Sequence, residues 1–167
     1  MGFSSRGTPF YGMGSALVID VGSVLFAGRP MSLDERVEVP PFSSVTFPQP
    51  AHVRLDLRRV GRGLEIVGTI EAAAAGPCDR CLEDLVVPLT VDVEERFDPP
   101  GGTSDPFGEN NVLSGTSLDV SDLVRQLVTS ALPMTLTCPG GCARPPELLM
   151  ESDHGKSEME NPPVQDA

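Results

Sequence analysis

Aromatic residues are scarce in this sequence. Its 167 residues include no tryptophan and one tyrosine, and aromatic side chains make up 5% of the chain. Glycine and proline, in contrast, each occur 17 times. Few aromatic side chains limit the size of the core, and frequent glycine and proline are typical of long irregular connections. The composition therefore favours one domain with a modest core, closer to a β-rich fold than to a helix bundle.

Positive charge is also scarce, because 12 lysine and arginine residues stand against 24 aspartate and glutamate residues. The resulting net charge of −12 repels phosphate backbones. Nucleic-acid binding normally draws its affinity from Lys and Arg side chains that displace counterions. We therefore do not expect direct, non-specific RNA binding. A basic protein partner suits the charge better, although acidity also serves simply to keep a protein soluble.

Long apolar runs are missing as well. No stretch reaches the roughly 18 to 20 apolar residues that a membrane span requires. The run Ala16–Ala27 has the length of a signal-peptide core. However, Asp20 interrupts it, only Arg6 precedes it, and no small-x-small cleavage site follows it. We therefore expect a soluble, cytoplasmic protein.

Changes in composition divide the chain into three parts. Residues 1–15 are rich in glycine and serine without periodicity, so we expect a disordered leader. Residues 16–145 hold the periodic segments and the cysteines, and we expect them to form the folded domain. Within it, residues 98–117 predict a long loop, because Pro, Gly and Asn recur there without periodicity. Residues 146–167 are polar and acidic, and we expect a disordered tail.

Alternating apolar residues predict an antiparallel sheet. The apolar, β-branched stretch Ala16–Phe26 predicts a first strand. In Val53–Leu57 and Leu64–Ala72, apolar residues alternate with others, and Gly61–Gly63 between them supplies a turn, which predicts a hairpin. The same alternation over Leu85–Val93 predicts a further strand.

One segment has the features of a helix. Asp119 is a good N-cap, Asp122 places negative charge in the first turn, and Pro133 ends the segment. Between them lies an apolar stripe that we expect to face the core, with Leu123 and Leu127 both buried. The stripe consists of Val120, Leu123, Val124, Leu127, Val128 and Ala131. Helix and strands together predict an α+β fold: an antiparallel β-sheet with one main packed helix and a cysteine knuckle region.

Four cysteines form two local pairs, Cys78 with Cys81 and Cys138 with Cys142. Gly and Pro residues accompany each pair, and they permit the backbone bend that brings two thiolates onto one ion. Spacings of roughly two to four residues within each pair are typical of structural zinc sites with four thiolates. All four cysteines are therefore candidate ligands of one zinc ion.

Two other interpretations of the cysteines stay open. The thiols are uncoordinated remnants of an ancestral metal site, or they have a redox or disulfide role, although stable disulfides are rare in a reducing cytosol. A thioredoxin-like pair stands between a strand and a helix, where the helix N-terminus lowers the pKa of the first thiol. The residues after Cys81 alternate as a strand does, which disfavours that role.

The sequence shows no recognisable catalytic constellation. His52 lies in a strand pattern and His154 in the predicted tail, and neither has the sequence context of a catalytic triad or a metal site. Gly12–Gly14 and Gly61–Gly63 are too short and isolated to be phosphate-binding loops. We therefore expect a protein that is not an enzyme.

Two motifs resemble a known family. The run Cys78–Glu83, followed by an alternating strand, resembles the Cys-x-Arg-Cys-Leu signature of the YceD-like family. The helix Leu118–Leu127, with its ending at Ala131–Pro133, resembles the second landmark of that family. Cys138 and Cys142 then fall where many members carry a cysteine-rich segment. Many members continue with a further Cys-x-x-Cys-Gly and an Asn-Leu-Asn ending, which this chain lacks.

The resemblance implies a role in accumulation of large-subunit ribosomal RNA or in ribosome biogenesis, without a known catalytic activity. The partner that it implies is a ribosomal protein or a pre-ribosomal particle, which agrees with the acidic charge of the chain. Two other functions stay open: a thiol-based redox protein that uses Cys78 and Cys81, and a generic acidic adaptor for protein interactions.

Overall fold

Residues 16–99 and 111–143 are described by a computed structural model of the chain, and within these ranges they form seven strands and two helices. In chain order the elements are β1 (Val18–Asp20), α1 (Gly22–Ala27), β2 (Met31–Val37), β3 (Ala51–Val60), β4 (Gly63–Pro77), β5 (Asp84–Asp98), β6 (Asn111–Val112), β7 (Ser117–Asp119) and α2 (Val120–Ser130). The predicted leader at residues 1–15 and tail at residues 146–167 lie outside the described residues.

The main sheet has five strands in the order β2-β3-β4-β5-β6. Strands β2 to β5 pair antiparallel in succession, and the short β6 pairs parallel with the end of β5. A separate two-stranded sheet joins β1 to β7. The predicted α+β class, with antiparallel sheet pairing and one main helix, is confirmed.

The predicted hairpin is confirmed as β3 and β4. Val60 pairs with Gly63, so the turn consists of Gly61 and Arg62. Gly61 has φ +61°, and glycine at the first position of a two-residue loop is typical of a type II′ turn. The strand predicted over Leu85–Val93 is also present, within the longer β5.

The core lies between one face of the main sheet and the two helices. In β3, alternate residues from Ala51 to Leu57 are buried, as a half-buried strand requires. On α2, Leu123 is 6% exposed and Val124 is fully buried. Leu127 is only partly buried, so the expectation that it is buried is wrong; it packs against the core from the edge of the apolar stripe. Ala131, predicted as part of the same stripe, is exposed at the C-cap of the helix.

The main helix begins where the sequence predicts. The carboxylate of Asp119 accepts a hydrogen bond from the backbone N–H of Asp122 at 2.9 Å, which caps α2. At eleven residues, α2 is the longest helix described. Neither helix in the described ranges has the length and apolar character needed to cross a membrane.

The strand predicted over Ala16–Phe26 is wrong beyond Asp20. Only Val18–Asp20 pair as a strand, and α1 follows from Gly22. The carboxylate of Asp20 accepts a hydrogen bond from the backbone N–H of Gly22 at 2.7 Å, and this local bond turns the chain out of the extended conformation. The apolar residues that suggested a strand belong to a helix that buries Val24.

Two further elements differ from the sequence prediction. The sequence does not predict β2, because Glu35 interrupts its apolar alternation. Glu35 lies between Leu33 and Val37, on the side of the strand where all three are opposite buried residues of β3. The loop predicted over residues 98–117 contains β6 and the first residue of β7. Residues 100–110 of that segment lie outside the described residues.

Candidate metal centre

The first cysteine pair lies in the connection between β4 and β5. Pro77 pairs with Asp84 at the end of the two strands. Beyond this pair, the backbone N–H of Cys78 donates to the carbonyl of Glu83 at 2.8 Å, and the N–H of Leu82 donates to the carbonyl of Cys78 at 2.9 Å. Both cysteines of the pair therefore lie in a tight turn whose position is fixed by the longest hairpin of the sheet.

The second pair follows α2 and is attached to the first by two hydrogen bonds. The backbone N–H of Asp79 donates to the carbonyl of Leu136 at 2.7 Å. The N–H of Leu136 donates in return to the carboxylate of Asp79 at 2.6 Å. The side chain of Leu136 is 6% exposed and packs with Val45 and Ala74. The residues just before Cys138 are therefore held beside the first pair.

A bend in the backbone shapes the second pair. Gly140 and Gly141 have φ values of +81° and +100°, which favour glycine because it has no Cβ. The N–H of Gly141 donates to the carbonyl of Cys138 at 3.1 Å and closes the bend. In the first pair, Leu82 has φ +63°, a left-handed conformation that a leucine rarely adopts.

The four sulfur atoms converge on one point. The Sγ atoms of Cys78, Cys81, Cys138 and Cys142 all lie within 4.8 Å of one another. Cys78 Sγ lies 3.7 Å from Cys142 Sγ, and Cys81 Sγ lies 3.5 Å from Cys138 Sγ. A disulfide bond requires about 2.05 Å, whereas a tetrahedral site with Zn–S bonds of about 2.3 Å separates its sulfurs by about 3.8 Å. The spacing of the thiols is compatible with one metal ion held by four sulfur atoms.

Three of the four thiols differ strongly in pKa. Backbone N–H groups of Cys81 and Arg80 lower the pKa of Cys78 to about 6. The side-chain hydrogen bond with Cys81, followed by that with Cys78, raises the pKa of Cys138 to about 12. Burial is the main reason that the pKa of Cys142 is raised. One thiolate is thus favoured, and further negative charge in the cluster needs a cation to balance it.

Burial and ligand number fit a structural rather than a catalytic metal. Cys78 is buried and the other three cysteines are partly buried. A catalytic zinc usually has three protein ligands and an open position for water, whereas a structural zinc has four protein ligands. The arrangement can hold one soft divalent cation such as zinc through four thiolates, with Cys78 at its inner side.

The sequence pattern indicates the four cysteines but not Asp79, the residue that joins the two pairs. Asp79 makes both hydrogen bonds to Leu136 described above. The only sequence signal is its place between two cysteines, and its partner 57 positions later is visible only in the fold. His52 lies on β3, with Nε2 2.6 Å from a carboxylate oxygen of Asp34. His154 lies outside the described residues.

The sequence pattern also gives no indication of a buried carboxylate, that of Glu65. Glu65 of β4 is 4% exposed, and its carboxylate accepts hydrogen bonds from the guanidinium groups of Arg58 and Arg96. These residues lie side by side on β3, β4 and β5. The hydrogen bond from Arg58 is the main reason that the pKa of Glu65 is lowered. This trio joins three strands and does not form part of the cysteine cluster.

Comparison with protein families gives a match. The family model described as "Large ribosomal RNA subunit accumulation protein YceD" matches residues 66–165, which is more than half of the chain. The matched region includes most of β4, all of β5 and α2, and the four cysteines. No curated protein matches the chain, and no solved structure matches it.

Proposed function

This chain belongs to the family of the large ribosomal RNA subunit accumulation protein YceD, and we propose that it is a non-catalytic factor supporting large-subunit ribosomal RNA accumulation or ribosome biogenesis. The family match over residues 66–165 is the observation that carries this proposal. We further propose that the protein acts in the cytoplasm on a ribosomal protein or a pre-ribosomal particle.

The charge of the chain supports a protein contact. A net charge of −12 attracts basic surfaces and repels exposed phosphate groups. The outer face of the main sheet carries arginines, but several of them form ion pairs with carboxylates. The guanidinium of Arg54 lies 2.9 Å from the carboxylate of Glu71, and that of Arg96 lies 3.3 Å from the carboxylate of Glu65. These contacts leave less free positive charge for phosphate.

We also propose that Cys78, Cys81, Cys138 and Cys142 bind one structural zinc ion. The convergence of their sulfur atoms supports this assignment. The role of the zinc would be to join the β4–β5 connection to the segment after α2, because each of these contributes two ligands. A small domain with a modest core gains stability from such a crosslink.

A deletion strain tests the proposed function. Loss of the gene is expected to lower the ratio of large-subunit to small-subunit ribosomal RNA, and the wild-type gene should restore it. The Cys78→Ser gene should restore it poorly, whereas Thr137→Ser, a change at an exposed position beside Cys138, should restore it fully. An unchanged RNA ratio in the deletion strain would refute the proposed function.

Co-sedimentation separates the proposed function from a generic acidic adaptor. The tagged protein should sediment with precursors of the large subunit in a sucrose gradient, and this association should disappear when ribosome assembly is blocked. An adaptor without a ribosomal role would stay at the top of the gradient under both conditions.

A thiol-based redox protein is the second candidate, because the pKa of Cys78 is lowered to about 6 and a low pKa is typical of reactive thiols. The first pair, however, stands between two strands rather than between a strand and a helix. Mild oxidation followed by mass spectrometry distinguishes the two. A redox protein forms a reversible Cys78–Cys81 disulfide in its native state, whereas a zinc centre protects all four thiols until the metal is chelated.

A further inference from the structure

The outer edge of β5 is the longest unpaired strand edge in the described part of the chain. On one side, β5 pairs with β4 from Asp84 to Phe97. On its other side β6 pairs only with Phe97 and Asp98. Among the described residues, no strand pairs with this side of β5 between residues 84 and 96. A strand edge of this length presents unpaired backbone donors and acceptors to solvent.

Backbone hydrogen bonds fix which residues of β5 point outward. Ala75 of β4 exchanges N–H to carbonyl hydrogen bonds of 2.8 Å with Thr46, so its peptide groups face away from β5. Its partner across the ladder, Val86, therefore directs its own peptide groups away from β4. In a strand the direction alternates, so the even-numbered residues of β5 share this orientation. The carbonyl of Asp98 agrees with this, because it accepts a hydrogen bond from Leu113 on the outer side.

Pro88 limits the part of the edge that can accept a partner. It lies at an even-numbered position and has no N–H to donate. The next outward-facing donors are the backbone N–H groups of Thr90, Asp92 and Glu94, and the side chains of these residues are exposed. An added strand therefore cannot accept a hydrogen bond from the backbone at Pro88, but it can accept hydrogen bonds from the residues that follow.

The side chains along this open part select the charge of the partner. Asp92 and Glu94 project from the outer face of the sheet, beside Thr69 and Val67 of β4. Like charges directly opposite each other destabilise a strand pair, so this edge repels a second copy of itself. Lysine or arginine at the opposite positions would be attracted. On the other face, the partly buried Val91 and the buried Val93 offer apolar neighbours.

We propose that residues 90–94 of β5 bind an extended basic peptide segment as an added strand, with lysine or arginine alternating with apolar residues. The basic side chains lie over Asp92 and Glu94, and the apolar ones lie beside Val91 and Val93. Such strand addition derives affinity from main-chain hydrogen bonds and specificity from alternate side chains. This inference names the class of partner within the proposed function and rests on it: the partner is an extended segment of a basic ribosomal protein.

Peptide binding to the full-length protein tests this directly. The probe is a nine-residue peptide that alternates lysine and valine, and its control contains the same residues as one block of lysines and one of valines. The alternating peptide should bind more tightly, and the difference should persist when salt is raised. Hydrogen exchange measured by NMR should show that binding slows exchange of the amides of Thr90, Asp92 and Glu94. The odd-numbered amides, already bonded to β4, should change little.

Matched variants separate backbone pairing from charge attraction. Thr90→Pro removes one outward N–H and no bond to β4, as Pro88 already does, and should weaken binding by about tenfold. Thr90→Val keeps the N–H and should bind as the wild type does. The double variant Asp92→Asn, Glu94→Gln keeps every backbone donor and acceptor of the strand; it should weaken binding and reduce its salt dependence. Asp34→Asn with Glu35→Gln, which removes two exposed carboxylate charges from the opposite edge strand β2, should have no effect.

Several outcomes would overturn the inference. If both peptides bind with equal affinity, or if binding does not slow amide exchange at residues 90–94, the peptide binds by charge attraction alone and not as an added strand. Slow exchange of these amides in the free protein would mean that this chain or a second copy already covers the edge. The RNA ratio keeps the two proposals distinguishable. If deletion lowers the ratio but the Thr90→Pro gene restores it fully, only the strand inference fails; if deletion has no effect, the proposed function fails whatever the peptide does.

Discussion

Asp79 offers the sharpest test of how the two cysteine pairs are held together. Its carboxylate accepts a 2.6 Å hydrogen bond from the backbone N–H of Leu136, a residue whose side chain is 6% exposed. Asp79→Ala leaves this donor without its partner. A hydrogen bond to a charged acceptor contributes roughly 1.5 to 3 kcal/mol. Because Asp79 itself is exposed and water can replace part of the bond, we expect the free energy of unfolding to fall by about 1 to 2 kcal/mol.

Urea denaturation of the protein in the presence of added zinc measures this loss, and the slope of the transition should stay unchanged because the fold is the same. Asp79→Asn keeps a carbonyl oxygen at the same place, so it should cost less than half as much. In the proposed zinc centre, Asp79→Ala should also release the metal to a chelator more readily than Asp79→Asn, because the segment before Cys138 is less firmly held. An Asp79→Ala protein within about 0.5 kcal/mol of the wild type, with unchanged zinc retention, would refute the role of this residue.

Three further predictions concern the fold. Leu123→Ala should lower the free energy of unfolding by about 2 to 5 kcal/mol, and Leu127→Ala by clearly less, because Leu127 is only partly buried; equal losses in urea melts would contradict the packing. Gly68→Ala should be much more destabilising than Gly61→Ala in thermal melts, since a Cβ at Gly68 would lie 2.0 Å from a backbone carbonyl oxygen of β3, whereas Gly61 has open space around it. Two arginines hold the pKa of Glu65 below its usual value of 4.5. This carboxylate therefore stabilises the fold above pH 4.5, and its contribution is lost as pH falls through the native pKa. Glu65→Gln should remove this part of the acid sensitivity in thermal melts from about pH 6 to about pH 2, and an unchanged profile of stability against pH would contradict the prediction.

The elements that the sequence predicts are those whose signals are local. The β3–β4 turn depends on Gly61, and the start of α2 depends on Asp119 and its bond to Asp122 three residues later. The alternation in β5 survives because one of its faces packs against the core and the other faces solvent. In each case the residues that determine the structure are neighbours in the chain, so their spacing is sufficient.

The elements that the sequence does not predict depend on tertiary contacts. α1 has only six residues, too few for its periodicity to be separated from that of a strand. β2 is an edge strand whose core-side face includes Glu35. The cysteines could be named as one candidate set from their spacing alone. Their convergence, however, depends on the bonds between Asp79 and Leu136, residues 57 positions apart, which no local pattern reveals.

The zinc assignment is tested most directly by native mass spectrometry of the protein purified without chelator. The four convergent thiols predict one zinc ion per chain. Cys78→Ser and Cys142→Ser should lose the metal, whereas Thr137→Ser should retain it. Because the ligands are thiolates, zinc uptake should release protons and weaken as pH falls. A folded wild-type protein that carries no zinc, with four thiols that react freely before unfolding, would contradict the metal centre.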